Sequence, residues 1–213
     1  MRLASTILAS LVALASLASV AAAEPEPLAV GFRVGGYGFH RENAGTWDEC
    51  RMNGAGVFAQ HAVKGPLYLE AGLDAYSTVG GAPATDLQID RQSALVSVAA
   101  GARTNVTPWL TGYVQVGAGA ELARLAVPYG DGSTIRDSKV MPAGFFGVGA
   151  DLRIARGTFL GATLRTLVMG NFDYEPARLQ MANPWVAAPA ASDVFAASPS
   201  LAAQGQFYLR HDL

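Results

Sequence analysis

From about residue 28 to residue 213, apolar and polar residues alternate with a period of two in segment after segment. Such alternation marks a strand with one apolar face, because successive side chains of a strand point to opposite sides. Residues 67–76 show it most plainly. Leu67, Leu69, Ala71, Leu73 and Ala75 fall on one face, and Tyr68, Glu70, Gly72, Asp74 and Tyr76 on the other. Residues 110–122 repeat the pattern, with Leu110, Val114, Val116, Ala118, Ala120 and Leu122 set against Thr111, Tyr113, Gln115, Gly117, Gly119 and Glu121. Residues 146–154 and 201–213 do the same, and 91–104 and 158–170 follow with alanine-rich apolar faces. Residues 30–39 change parity at Gly35-Gly36, which reads as a β-bulge. Residues 54–63 form the weakest segment, since neither face is cleanly apolar.

The connections between these eight segments are alternately long (41–53, 77–89, 124–138, 171–199) and very short (Lys64-Gly65-Pro66, Asn105-Val106-Thr107, Ala155-Arg156-Gly157). One-sided loop asymmetry on a meander predicts an all-β fold: an eight-stranded antiparallel up-and-down transmembrane β-barrel with short periplasmic turns and long extracellular loops. Charged residues make up only 15% of the chain, against roughly 25% in an average soluble protein. After residue 24 no apolar run approaches the roughly 20 residues that a spanning helix needs. A soluble barrel would turn the same faces the other way, with the apolar side inward. Against that inversion stand the many glycines on the polar faces, the aromatics Trp109, Tyr76, Phe172 and Tyr174 where a membrane girdle is expected, and a lysine content limited to Lys64 and Lys139 at strand ends.

The first 23 residues read as a secretory signal peptide: Met1-Arg2, an apolar run from Leu3 to Val20, and Ala21-Ala22-Ala23 before Glu24. Residues 24–213 are then the barrel domain. A net charge of −2 leaves no footprint for nucleic acid. Cys50 is the sole cysteine and reads as an incidental loop thiol.

Away from the rims, the inward parities carry Arg33, Arg153, Arg165 and Arg210 against Glu70, Asp74, Glu121 and Asp151. Charges removed from water are tolerated when paired, and the planar fork of arginine suits carboxylates across a narrow lumen. An eight-stranded barrel is just wide enough to be filled by side chains. The expectation is therefore a structural salt-bridge network that plugs the interior. A narrow polar pathway or small-solute site is the alternative use of the same residues.

On its leader, strand number, loop asymmetry and charged interior, the chain from about residue 28 to 213 resembles the eight-stranded outer-membrane barrels of the OmpA-like and OmpX-like superfamily. The resemblance implies a cell-outer-membrane location, membrane lipid and lipopolysaccharide as surroundings, and barrel-insertion machinery as a partner during biogenesis. One departure is the C-terminal residue, usually aromatic in that superfamily and here Leu213. Some such barrels remodel lipid A through a His/Ser pair at the rim. Here His40, His61 and His211 stand apart from any serine in a His-x-Ser arrangement, so no catalytic residue is assigned. No residues are assigned to a metal or cofactor. The loop 171–199, rich in proline and with Trp185, Val186 and Phe195, is unusually apolar and is expected to lie over the barrel mouth, on the membrane interface or against a surface partner. Three function classes result: a structural or surface-interaction barrel, a small channel or binding barrel for a small or hydrophobic solute, and a lipid-modifying enzyme.

Overall fold

In the computed structural model, which describes residues 28–43, 46–78, 90–128, 133–174 and 195–213, eight strands follow one another around a ring. They are β1 (Leu28–Asn43), β2 (Thr46–Lys64), β3 (Leu67–Thr78), β4 (Asp90–Thr107), β5 (Leu110–Pro128), β6 (Thr134–Ala155), β7 (Thr158–Tyr174) and β8 (Phe195–Asp212). Each pairs antiparallel with the next, and β8 pairs with β1 from Asp212↔Ala29 to Ala202↔Phe39, which closes the barrel. Closure removes the open sheet edges that hydrocarbon does not tolerate.

The apolar faces point outward. Val116 is 60% exposed and Leu164 and Phe207 67% each, whereas Arg33, Gln115 and Glu121 are at most 2% exposed. That polarity excludes the inverted, water-facing arrangement, since a continuous belt of exposed aliphatics needs an apolar surrounding.

The three short hairpins share one construction. Each has a register irregularity just before its turn, at Ala62/Lys64, Asn105/Thr107 and Arg153/Ala155. Gly65 (φ 60°) and Gly157 (φ 69°) supply the left-handed backbone at two of the turns, a region that side chains with a Cβ disfavour. A carbonyl at each turn accepts from a neighbouring strand: Arg103 N to Pro66 O at 2.9 Å, Arg153 N to Trp109 O at 2.8 Å and Asp212 N to Gly157 O at 2.8 Å.

At the other end the strands run further than alternation predicts. Pairing of β1 with β2 continues to Asn43↔Thr46, so most of 41–53 is strand, Cys50 included. Pairing of β5 with β6 continues to Pro128↔Thr134, and Lys139 lies within β6 rather than at its end. Pairing of β7 with β8 reaches Tyr174↔Phe195, which takes both ends of 171–199 into strands. Beyond the apolar belt a strand no longer needs an apolar face, so period-two hydrophobicity ends before the hydrogen-bonded ladder does. The rest of the loops 77–89 and 171–199, and residues 1–23, lie outside the described residues.

Two further expectations are corrected. No register shift occurs at Gly35-Gly36, which pair regularly with Gly54 and Asn53 on one side and Gln206 and Gly205 on the other. The parity change comes from Tyr37, which turns inward and is 4% exposed because its hydroxyl has interior partners. Tyr76 is likewise buried inside the barrel and is not a girdle residue. Trp109 does sit exposed at its turn.

Interior glycines make room for interior rings. Tyr68 faces Gly101, Tyr113 faces Gly149 and Tyr208 faces Gly161 across adjacent strands. A Cβ at any of the three glycines would lie 2.2–2.3 Å from the facing ring's Cζ. β2 is hard to read because its inward face mixes Gly54 and Gly56 with the apolar Met52 and Phe58 and the polar Gln60, and so declares no single polarity.

Candidate functional site

The charged interior is organised around Glu70 on β3. Its Oε1 accepts from Arg33 Nη1 and from Arg165 Nη2, both at 2.8 Å, and its Oε2 accepts from Gln60 Nε2 at 2.9 Å. Arg33 also forks onto Asp74, with Nε donating to Oδ1 at 2.6 Å and Nη2 to Oδ2 at 2.7 Å. The Gln115 amide, with its oxygen turned to Arg165, accepts from Nη2 at 2.9 Å and Nε at 2.8 Å. Each of these charge-assisted bonds satisfies a buried polar group.

Gln60 extends the cluster toward the short turns. Its Oε1 accepts from Arg103 Nη2 at 3.0 Å and Arg210 Nη1 at 2.9 Å. Arg210 Nη2 lies 3.3 Å from Asp151 Oδ2, and the Tyr208 hydroxyl donates to the same carboxylate. Arg210 Nε is 3.8 Å from Asp212 at the rim. Rings sheathe the guanidinium groups, with Arg103 4.4 Å from the Tyr68 centroid, Arg210 4.4 Å from Phe159 and Arg165 4.7 Å from Phe145, distances at which a ring face attracts a cation.

A second cluster lies nearer the long loops. Glu121 accepts from Arg91 Nη2 at 3.2 Å and from the Tyr37 hydroxyl at 2.7 Å. Level with the second cluster the interior carries an apolar layer that includes Met52, Leu95, Phe145, Leu167 and Met169, with Met52 paired to Tyr37 and Leu95 to Glu121. Gln204 and Gln206 on β8 donate to the Tyr76 hydroxyl at 2.7 and 3.0 Å, tying β8 to β3 across the lumen.

Of the residues expected inside, Arg33, Glu70, Asp74, Asp151, Arg165 and Arg210 are thus brought together, and Glu121 joins Arg91 instead. Arg153 is not in the lumen. It has the inward parity of Asp151 but lies two residues closer to the turn, where the side chain is exposed and sits 5.5 Å from the Phe159 ring. Arg91, Arg103, Gln60 and Tyr37 were not expected in the clusters. Arg91 and Arg103 share the odd parity of Ser93, Ser97 and Gly101 on β4, so extending inward parity to the strand ends would have found them.

The histidines sit apart. His211 Nδ1 lies 2.9 Å from the Thr158 hydroxyl at the exposed short-turn end, and His61 pairs with Leu28 and Leu69 on β2. His40 lies in β1, with its side chain outside the described residues. Among the described residues no group of three or more His, Cys, Asp or Glu could hold a metal ion. On the outer wall, a groove of about 700 Å³ crosses Thr166, Ala203, Gly38 and Arg51 on four adjacent strands.

A closed ring of eight strands, apolar outside and charged within, is the arrangement the family comparison then matches. Residues 6–180 match the model of the outer membrane protein beta-barrel domain. The chain belongs to that family. Membership places this outer membrane barrel in the cell outer membrane. Its fold is similar to that of Neisserial surface protein A (NspA), with a TM-score of 0.56 at 12% identity over 87% of this chain and 97% of that one. Lower similarity extends to Ail, the attachment invasion locus protein of Yersinia pestis (TM-score 0.48, 12% identity, 88% and 97% covered). The N-terminal β-barrel domain of Pseudomonas aeruginosa OprF also matches (TM-score 0.42, 14% identity, 85% and 96% covered). No curated protein matches the sequence.

Proposed function

We propose that this outer membrane barrel is a structural or surface-interaction protein whose lumen is plugged by its own side chains, and that it is not an enzyme. The observation that carries this reading is Glu70, 6% exposed, held by two arginines and a glutamine that are themselves buried. An open aqueous pore would hydrate such a carboxylate. Here protein donors take the place of water, and the apolar layer above it offers an ion nothing to exchange for its hydration shell. Function then belongs to the wall and to the long-loop end, including the surface-partner role of 171–199.

A narrow polar pathway is the competing reading. It draws on Arg165 Nη1, Gln204 Oε1 and Gln206 Oε1, buried polar atoms without a protein partner that gather around the cross-strand pair Arg165↔Gln204. Liposome swelling separates the two. Vesicles holding the folded barrel should swell in isosmotic arabinose or glycine no faster than empty vesicles, and rapid swelling would favour the pathway.

A further inference from the structure

The outward face of β5 and β6 is apolar up to Leu122 and Val140, which pair across the two strands and are 44% and 69% exposed. Immediately beyond them the outward positions change character. Arg124 pairs with Ser138, and Arg136 pairs with Ala126, so the two arginines are diagonal neighbours on one exposed face. Diagonal neighbours on paired strands are about 7–8 Å apart and their Cβ atoms somewhat closer, a spacing that one phosphate group or two on the same headgroup can span. Asp90 on β4 is the one carboxylate among the described residues of this face. It pairs with Ala126, and neither arginine forms a salt bridge among the described residues.

Depth identifies what meets this pair. A strand tilted about 40° rises roughly 2.5 Å per residue along the barrel axis. Leu122 therefore stands roughly 30 Å above the periplasmic end of β5 and Arg124 roughly 35 Å, where an apolar band about 25 Å tall gives way to the outer-leaflet headgroups. Acyl chains would lie on the wall of Ala120, Leu122 and Val140, with the headgroup against the two guanidinium groups, whose planar forks suit phosphate oxygens.

We infer that Arg124 and Arg136 form a site on the outer wall for the phosphorylated headgroup of an anionic outer-leaflet glycolipid. The inference rests on the outer-membrane location and is independent of whether the lumen is plugged. It makes the β5–β6 wall a fixed lipid contact, in distinction to the rest of the apolar belt, which any acyl chain can cover.

The test is native mass spectrometry of the folded barrel released from phosphatidylethanolamine nanodiscs doped with bis-phosphorylated lipid A. The wild type should retain lipid A, and removal of both phosphates should abolish the preference. The variant Arg124→Gln/Arg136→Gln should retain it roughly five- to thirtyfold less well, the effect of about two basic residues at an anionic surface. Arg51→Gln, an exposed arginine elsewhere on the outer wall, should leave retention unchanged. Heat-modifiable gel migration confirms that each variant is folded. Equal retention by the double variant, or an equal loss in Arg51→Gln, would overturn the site. Binding of a soluble sulfated polysaccharide without discrimination between the two forms of lipid A would assign the arginines to a soluble polyanion instead.

Discussion

Arg33 on β1 and Asp74 on β3 hold each other in a two-point clasp across β2, with donor–acceptor distances of 2.6 and 2.7 Å and both side chains almost wholly buried. The intervening strand allows this because Gly56, paired with both residues, has no side chain; a Cβ there would lie 2.0 Å from Asp74 Oδ1. Sequence sets the small residue, and the small residue sets the ion pair.

The shared carboxylate should matter most. Glu70→Ala leaves Arg165 without its carboxylate and Arg33 with Asp74 alone. Removing one partner of a buried ion pair typically costs about 3–5 kcal/mol. Urea unfolding of the barrel in lipid bilayers should show a loss of that order for Glu70→Ala and a comparable one for Arg165→Ala. Losses under about 1 kcal/mol would mean that water already solvates these charges.

Glycines inside and outside the barrel should respond differently to the same change. Gly161→Ala places a Cβ 2.2 Å from Tyr208 Cζ, whereas Gly205, on the outer face, has its nearest neighbour, Leu164 Cδ2, at 3.7 Å. Overpacking of this kind costs about 1–3 kcal/mol, so the unfolding midpoint should fall for Gly161→Ala and hold for Gly205→Ala. Adding Tyr208→Leu to Gly161→Ala should recover part of the steric loss, as a double-mutant cycle would read.

The two faces of β5 can be separated at adjacent residues. Val116 points outward, six residues above Leu110 and near the middle of the apolar band. Val116→Arg should destabilise the folded barrel by about 2–4 kcal/mol in bilayers, while Val116→Leu should be neutral. Tolerance of arginine there would reverse the assignment of faces.

Residues 1–23, read as a leader, make a simple prediction about the exported chain. If signal peptidase cuts after Ala21-Ala22-Ala23, protein extracted from the outer membrane should begin at Glu24-Pro25. Intact-mass measurement reads this directly, and a mass that retains Met1 would refute cleavage.

Strand parity was legible wherever the outward face is apolar, as at Leu67–Ala75 and Leu110–Leu122, because lipid contact enforces it residue by residue. It failed in three physical circumstances. Tyr37 reads as apolar by its ring, whereas its hydroxyl decides which way it faces; Tyr76 is placed correctly by parity and fails only as a girdle residue. Arg153 has an inward parity but sits where the lumen opens, so parity alone placed it too deep. The strand extensions to Asn43, Thr46, Pro128 and Thr134 lie beyond the belt, where no apolar face is required and alternation carries no signal. The interior partners Gln60 and Gln115 were hardest to anticipate, since a glutamine on an inward face declares polarity but not which arginine it meets.

Single-channel recording in planar bilayers tests the plugged lumen most directly. The wild type should show conductance indistinguishable from the bare membrane, and Glu70→Ala and Arg165→Ala should remain closed even as their unfolding midpoints fall, because neither change removes the apolar layer of Met52, Leu95, Phe145, Leu167 and Met169. Steady wild-type conductance, with an ion preference that shifts in these two variants, would contradict the account and show that the buried charges line a path.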